Sequence, residues 1–271
     1  MNESVIAVRG RKVGLIEAGS DEPLVYLHGI ADIHGAAEKF EPFHLRLAQA
    51  ARVIAPAHPG CAGSDELPAC SIDDVVFHYL EVLDALGLKR FDLVGHCVGG
   101  WIAAELAVRH PERIGKLVLI GACGLFVSGA PIGDIFMHSQ PERGVDYGSL
   151  RSLYFSAADA PEALRFFPDG RAGIETEMRR YQMLRFSSFV GFRPPYFYHR
   201  ELRERLHRAA MPALVIWGKH DAMVPRVHGE AYSAELPEAK ALQLVAGAGH
   251  AAPLEAPQAT ADLVVGFLRE A

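Results

Sequence analysis

Long hydrophobic runs are missing from this sequence. No apolar stretch approaches the roughly 20 residues that a membrane-spanning helix needs. The first residues, MNESVIAVRGRKVG, carry charges early and lack the apolar segment of a secretory signal peptide. We therefore expect a cytoplasmic protein with no membrane partner.

Positive charge is also limited. The chain has 27 Lys and Arg against 33 Asp and Glu, for a formal net charge of -6. Without a basic stripe, a nucleic acid is not an expected partner. The length of 271 residues and a hydrophobic share of 50% allow one large α/β domain, or a core with a small inserted domain. We expect a monomer or a homodimer.

The cysteines are few and show no metal-binding pattern. They lie at positions 61, 70, 97 and 123, which match no zinc spacing. No Gly-x-Gly-x-x-Gly motif follows the first predicted strand, so we expect neither a metal nor another cofactor. Free thiols are the default in a reducing compartment, and a Cys61–Cys70 disulfide is the alternative.

Short apolar runs alternate with helical periodicity over most of the chain. This alternation predicts βαβ units and a mainly parallel, eight-stranded sheet flanked by helices, an α/β fold. The predicted strands are residues 5–8, 13–17, 24–27, 52–55, 91–94, 116–120, 213–217 and 241–245. The predicted helices are residues 38–50, from Ser71 or Asp73 to 86, 98–109, 227–236 and 257–269.

The alternation stops between residues 124 and 209. This stretch has helical pieces, many Phe and Tyr residues and no convincing strand. We predict a helical cap inserted after the sixth strand, which divides the chain into core residues 1–123, cap residues 124–209 and core residues 210–271. Most of its aromatic side chains are expected to form its own core, and some to line an apolar pocket. Arg179, Arg180 and Arg185 either bind a substrate carboxylate there or lie on solvated helix faces.

The most informative segment is Gly95-His96-Cys97-Val98-Gly99, which joins a predicted strand to a predicted helix. Such a tight turn places its central residue at positive φ and pushes that side chain into the open. We predict that Cys97 is a nucleophile. The amide of Val98, at the start of the helix, would then point at a developing oxyanion.

Further motifs accompany this turn in a recognisable order. They are His28-Gly29, His58-Pro59-Gly60, Trp217-Gly218-Lys219-His220-Asp221 and Gly247-Ala248-Gly249-His250. With them, nearly the whole chain resembles the α/β-hydrolase family, in which nucleophile, acid and histidine follow in this order. The resemblance implies a triad of Cys97, Asp221 and His250. It also implies that the amide of Ile30 is the second oxyanion donor.

The cysteine departs from the usual pattern, because relatives with this turn normally carry serine. A cysteine at this turn resembles dienelactone hydrolase, which lacks so large a cap. The rest of the chain resembles the serine ester hydrolases with a helical cap. Cys97 is therefore either the natural residue or a replacement of an original serine, a change of one atom.

Position selects the base and the acid among several candidates. Of 13 histidines, His250 lies in a glycine-rich loop after the last predicted strand, from which it can reach residue 97. Asp221 follows the strand before it by four residues. The alternative place for the acid, after residues 116–120, holds no carboxylate before Asp134. These positions favour Asp221 over Asp134.

Five further residues are candidate substrate contacts on the loops around the predicted site. His28 and His58 are interpreted mainly as structural, with substrate contact as the alternative, and His96 is expected to pack beneath the turn and point away from the nucleophile. The five candidates are His28, Asp32, His34, His58 and Trp217.

These residues predict hydrolysis of a carboxylic ester, lactone or thioester through an acyl-enzyme. The expected substrate is a small apolar or aryl ester rather than a sugar or a phosphate. Hydrolysis of a carbon–carbon bond in a vinylogous diketone is an alternative on the same fold. A ligand-binding receptor with little turnover is a third alternative, against which a complete triad argues.

Overall fold

The computed structural model describes residues 1–68, 71–138, 147–170, 173–192 and 196–270. Cys70 lies outside these ranges, and so does the alternative disulfide between Cys61 and Cys70. Among the helices in these ranges, none is long and apolar enough to cross a bilayer.

The described strands form one sheet of eight. Their bounds are Asn2–Val8 (β1), Arg11–Ala18 (β2), Pro23–Leu27 (β3), Arg52–Pro56 (β4), Phe91–His96 (β5), Ile114–Ile120 (β6), Ala213–Gly218 (β7) and Gln243–Val245 (β8). The strand order is β1-β2-β4-β3-β5-β6-β7-β8. Strand β2 pairs antiparallel with both β1 and β4, and all other pairs are parallel. The predicted eight-stranded, mainly parallel sheet is confirmed.

The helices cover both faces and the carboxyl edge of the sheet. Their bounds are Pro42–Leu47 (α1), Ile72–Ala85 (α2), Val98–Arg109 (α3), Ile135–His138 (α4), Gly148–Tyr154 (α5), Pro161–Phe166 (α6), Ile174–Gly191 (α7), Leu202–Arg205 (α8), Val227–Glu235 (α9), Ala252–Glu255 (α10) and Pro257–Arg269 (α11). Short 3-10 helices lie at Pro111–Arg113 and Leu206–Arg208.

Local chemistry decides two helix starts. Helix α2 begins after Ser71, whose hydroxyl accepts a hydrogen bond from the Asp74 amide at 3.2 Å, so Ser71 rather than Asp73 is the cap. Helix α1 begins only at Pro42, and the prediction of a helix from residue 38 was wrong. A proline disfavours helical backbone in the residue before it, and its own fixed φ suits the first helical position.

Between β6 and β7, the described residues form α4 to α8 and add no strand to the sheet. The residue limits of the predicted cap, 124 and 209, stay a prediction. We call residues 124–209 the helical segment.

The sheet positions the site because its parallel strands end at one edge. The loops that follow β3, β5, β7 and β8 carry Ile30, Cys97, Asp221 and His250 in turn. Ligands of open α/β sheets bind at this edge.

Candidate active site

Cys97 lies in a strained turn between β5 and α3. Its φ of 56° and ψ of -119° confirm the predicted positive φ. Neighbouring backbone comes so close that only glycine fits beside it. A Cβ on Gly95 would lie 2.4 Å from the carbonyl oxygen of Gly99, and a Cβ on Gly29 would lie 2.9 Å from the Cβ of Cys97. The loop after β3 therefore packs directly against the nucleophile, as its glycine predicted.

The base and the acid meet at this turn. The Nδ1 atom of His250 lies 2.8 Å from Oδ2 of Asp221, and both side chains are buried. The other oxygen of Asp221 accepts from the amides of Met223 and Val224, which fixes the carboxylate. Asp134 instead accepts from two amides at the start of α4. In the structure His250 therefore contacts Asp221, and the catalytic roles of the two residues stay a prediction.

The second nitrogen of His250 is directed to Cys97. This Nε2 atom is buried and has no hydrogen-bonded nitrogen or oxygen among the described residues. Burial lowers the pKa of His250, but the charges of Asp221 and Cys97 outweigh it and raise this pKa to about 10. Burial also raises the pKa of Cys97, yet hydrogen bonds from Cys123 and His250 and the charge of His250 hold it well below its usual value. These shifts favour a thiolate–imidazolium pair over a neutral thiol beside a neutral imidazole.

This ion pair gives a pH test. A lowered thiol pKa leaves Cys97 ionised at neutral pH, so its alkylation by iodoacetamide should change less than about threefold between about pH 6 and 9. An ordinary thiol with a pKa near 8.5 slows about tenfold for each unit below that value. Quantitative mass spectrometry of the Cys97 peptide at each pH measures the rate, with a model peptide thiol as control. A rate that climbs tenfold per unit up to about pH 8 would contradict the ion pair.

Cys123 is a neighbour of the nucleophile that the sequence interpretation missed. Its amide donates to the carbonyl of Cys97 at 3.1 Å, and its hydrogen bond to Cys97, together with burial, raises the pKa of its thiol well above the usual value. Cys123 therefore stays protonated and stabilises the Cys97 thiolate. One signal was available, since Cys123 follows β6 by three residues and β6 is parallel to β5.

The two predicted oxyanion donors border the same turn. Val98 is the first residue of α3, and Ile30 follows Gly29 in the loop packed against Cys97. Within the described ranges, neither amide has a backbone acceptor. Their role as oxyanion donors stays a prediction.

Comparison with known proteins agrees with this geometry. Residues 22–257 match the family described as alpha/beta hydrolase fold. This chain belongs to the alpha/beta hydrolase family. A 2-hydroxymuconate semialdehyde hydrolase from Pseudomonas putida is 31% identical over 98% of this chain and 94% of that protein. Another protein of that name, from Pseudomonas sp. (strain CF600), is 40% identical, over 44% of this chain and only 43% of that protein. The enol-lactonase of Burkholderia xenovorans LB400 shares the fold, with a TM-score of 0.73 and 21% identity over 98% of this chain and 100% of that one.

These relatives are named hydrolases, and this chain is accordingly an enzyme of the hydrolase class rather than a receptor with little turnover. Within the described ranges, no group of three or more His, Cys, Asp or Glu side chains is arranged to hold a metal ion.

His28 and His58 hold two loops of this hydrolase together, and the substrate contacts predicted for them stay a prediction. Both are fully buried. The Nε2 atom of His28 accepts from the His58 amide at 3.0 Å, and Nε2 of His58 lies 2.8 Å from the carbonyl oxygen of His28. The other ring nitrogen of His58 lies 2.5 Å from the hydroxyl of Tyr79. These contacts join the loops after β3 and β4.

His34 and Trp217 also contact backbone carbonyls, and their predicted substrate contacts likewise stay a prediction. Both are buried, with Nε2 of His34 at 3.1 Å from the carbonyl oxygen of Ala55. The indole of Trp217 donates to the carbonyl of Val224 at 2.8 Å, within the loop that carries Asp221. These side chains stabilise the loops around the site through contacts with backbone carbonyls.

Asp32 is a buried hub of hydrogen bonds, and its predicted contact with a substrate stays a prediction. Its carboxylate accepts from the Tyr26 hydroxyl at 2.5 Å, from the Gly29 amide at 3.1 Å and from Nδ1 of His96 at 2.9 Å. Burial raises the pKa of Asp32, but hydrogen bonds from His44 and His96 hold it well below the usual value. Gly29 precedes Ile30, and His96 precedes Cys97. The Asp32 carboxylate therefore fixes both the loop of Ile30 and the turn of Cys97.

His96 lies beneath the turn, as predicted, and connects the hub to the base. Its Nε2 atom is 3.0 Å from the carbonyl oxygen of His250. The chain Asp32–His96–His250 thus holds the loop of the base against the loop of the nucleophile.

A cavity of about 600 Å³, including its mouth, opens beside Ile30. Apolar and aromatic groups dominate its walls, as expected from the sequence. Lining residues include Ile30, Ala36, Tyr154, Phe167, Arg180 and Met183.

The structure separates the three candidate arginines. Arg180 lines this cavity and is buried. Its guanidinium pairs with Glu177 at 3.1 Å and donates to the carbonyl of Phe166, while its Nε has no hydrogen-bond partner among the described residues. Arg179 lies 3.8 Å from Glu38, and Arg185 pairs with Glu66. Of the three arginines, Arg180 is the one that lines the cavity.

Proposed function

We propose that this hydrolase acts at an acyl carbon of a small carboxylate-bearing substrate, through an acyl-thioester on Cys97. The observation that carries the proposal is the buried arrangement of Cys97, His250 and Asp221 at a turn with positive φ. Nucleophile, base and orienting acid in this order are the elements of acyl transfer.

The proposed reaction has two halves. The Cys97 thiolate attacks the carbonyl carbon, and the amides of Ile30 and Val98 stabilise the negative oxygen. The bond to the leaving group then breaks, and the His250 imidazolium gives its proton to that group. In the second half, neutral His250 takes a proton from water, the hydroxide attacks the thioester, and the released thiolate and acid complete the cycle.

The substrate class is inferred from the cavity. An aromatic and aliphatic wall suits an apolar or unsaturated chain. The buried guanidinium of Arg180, which pairs with Glu177 at 3.1 Å, suits a terminal carboxylate that takes the place of Glu177 or shares the guanidinium with it. An ester, thioester or lactone of such an acid fits the site. The relatives named for 2-hydroxymuconate semialdehyde support the carboxylate, because that compound is a carboxylic acid.

The same relatives favour a second candidate, the hydrolysis of a carbon–carbon bond. A compound of that name contains no ester, so its hydrolysis must break a bond between carbons. In this reaction the leaving group is a carbon stabilised as an enol, and it takes the proton from His250. Assaying 2-hydroxymuconate semialdehyde beside a matched ester separates the two candidates.

Arg180→Gln tests the carboxylate. With mono-4-nitrophenyl glutarate, this change should lower kcat/KM about 10- to 100-fold, because it removes a charged hydrogen bond in a buried pocket. With 4-nitrophenyl pentanoate, which has no carboxylate, the loss should stay within about threefold. Nitrophenol release at 400 nm is the measurement.

Arg179→Gln is the matched control, since it changes the neighbouring residue outside the cavity. Equal losses on both esters in Arg180→Gln would mean that Arg180 only supports the fold through its contact with Glu177.

A further inference from the structure

Tyr154 connects the cavity to the catalytic residues. It is the last residue of α5, and its side chain is fully buried. Its ring stacks on that of His250, with centroids 6.0 Å apart, and on that of Phe167, a cavity residue, with centroids 5.8 Å apart. A substrate that reaches from the cavity to Cys97 therefore passes this ring.

The hydroxyl of Tyr154 has no hydrogen-bond partner among the described residues, although it is buried. Buried polar groups are nearly always paired, because an unpaired donor has lost its water without compensation. Burial and the nearby charge of Cys97 raise the pKa of Tyr154 well above its usual value. The phenol therefore keeps its proton and remains a donor.

The backbone fixes Tyr154 to the loop of the base. The Ala251 amide donates to the carbonyl of Tyr154 at 2.8 Å, and a Cβ on Gly249 would lie 3.0 Å from that carbonyl oxygen. Both contacts flank His250 in sequence. Since this end of the helical segment is tied to the catalytic loop, the phenol keeps its position beside the imidazole.

We propose that the Tyr154 hydroxyl donates a hydrogen bond to a keto or enol oxygen on the acyl part of the substrate. The inference rests on the proposed function, because the acyl group is the ligand held between Cys97 and the cavity. Arg180, elsewhere on the same cavity wall, is left to a terminal carboxylate. Most of the remaining lining is apolar, and Tyr147 and Arg180 both donate to Glu177. A free donor at Tyr154 would therefore select an oxygenated acyl chain over a plain one.

Tyr154→Phe tests this contact, because it removes one oxygen and keeps the ring that packs on His250 and Phe167. The matched substrates are 4-nitrophenyl 4-oxopentanoate and 4-nitrophenyl pentanoate. The variant should lower kcat/KM on the oxo ester about 10- to 100-fold and change it on the plain ester less than about threefold. Equal losses of kcat/KM on both esters would mean that the hydroxyl supports His250 and does not contact the substrate. No loss of kcat/KM on either ester would mean that the hydroxyl has no role in the reaction. Either result overturns the proposal.

A second measurement needs no turnover, so it also holds if the proposed function fails. Protection of Cys97 from iodoacetamide reports binding of 4-oxopentanoate or pentanoate. The oxo acid should protect the unmodified chain at a concentration about tenfold lower than the plain acid does, and Tyr154→Phe should abolish that difference. Equal protection by both acids in the unmodified chain would overturn the proposal, whether or not either ester is hydrolysed.

Discussion

The Cys97→Ala variant is expected to lose hydrolysis of 4-nitrophenyl esters by a factor on the order of 10⁴ to 10⁶ in kcat. Alanine removes the only atom of residue 97 that can form the acyl-enzyme. Any remaining rate would come from binding and from the oxyanion donors at Ile30 and Val98. Steady-state release of nitrophenol measures the loss.

Cys61→Ala is the control for removing a buried thiol, since Cys61 packs against Met183. This variant should retain activity within about threefold. The assignment fails if Cys97→Ala remains active while Cys61→Ala does not.

Replacing His250 by alanine should lower kcat by at least about a thousandfold, in the present chain and in a Cys97→Ser background. The serine form depends on His250 to remove the proton from its hydroxyl. The cysteine form loses the positive charge that stabilises its thiolate, the proton donor for the leaving group and the base for water. The kcat values on one ester, with and without His250→Ala in the Cys97 and the Cys97→Ser chains, give the loss of kcat in each background.

His220→Ala is the matched control, because His220 is exposed and directly precedes Asp221. It should change kcat by less than about threefold. Comparable losses of kcat in His220→Ala and His250→Ala would mean that disturbance of the loops, and not removal of the His250 imidazole, lowers kcat.

The sequence predicted the turn of Cys97 and the triad because their chemistry depends on local spacing. A nucleophile between glycines, a strand before it and a helix after it define the turn of Cys97 without knowledge of distant contacts. The order of Asp221 and His250 after the last strands then places them at the same edge of the sheet. The start of helix α1 was harder to predict from the sequence, because Pro42 overrode the helical periodicity of the residues before it.

The substrate contacts were less predictable, because they depend on which side chains the packed loops bury. A polar residue near the edge, such as Asp32 or His58, looks the same in the sequence whether it faces a substrate or a neighbouring loop. The two cases can be told apart only from the burial and contacts of the side chain in the three-dimensional structure. The same holds for Arg180 among three arginines, and for Tyr154 in a segment rich in aromatic residues.

The origin of Cys97 has a kinetic consequence. If cysteine replaced an original serine, the larger sulfur shifts the attacked carbonyl relative to the amides of Ile30 and Val98, and a misplacement of about 1 Å can cost about a hundredfold. A replaced serine therefore predicts a lasting acyl adduct and a faster Cys97→Ser variant. A native cysteine predicts the faster turnover in the cysteine form, without a lasting adduct.

The most direct test of the central claim, acyl transfer through Cys97, is mass spectrometry after millisecond mixing with 4-nitrophenyl acetate and quenching in acid. Rapid quenching captures the intermediate whether it lasts or turns over. We predict one added acetyl group, mapped to the peptide that contains Cys97 and absent from the Cys97→Ala variant. Release of nitrophenol with no acetyl group on that peptide, or with the group on another residue, would contradict the account.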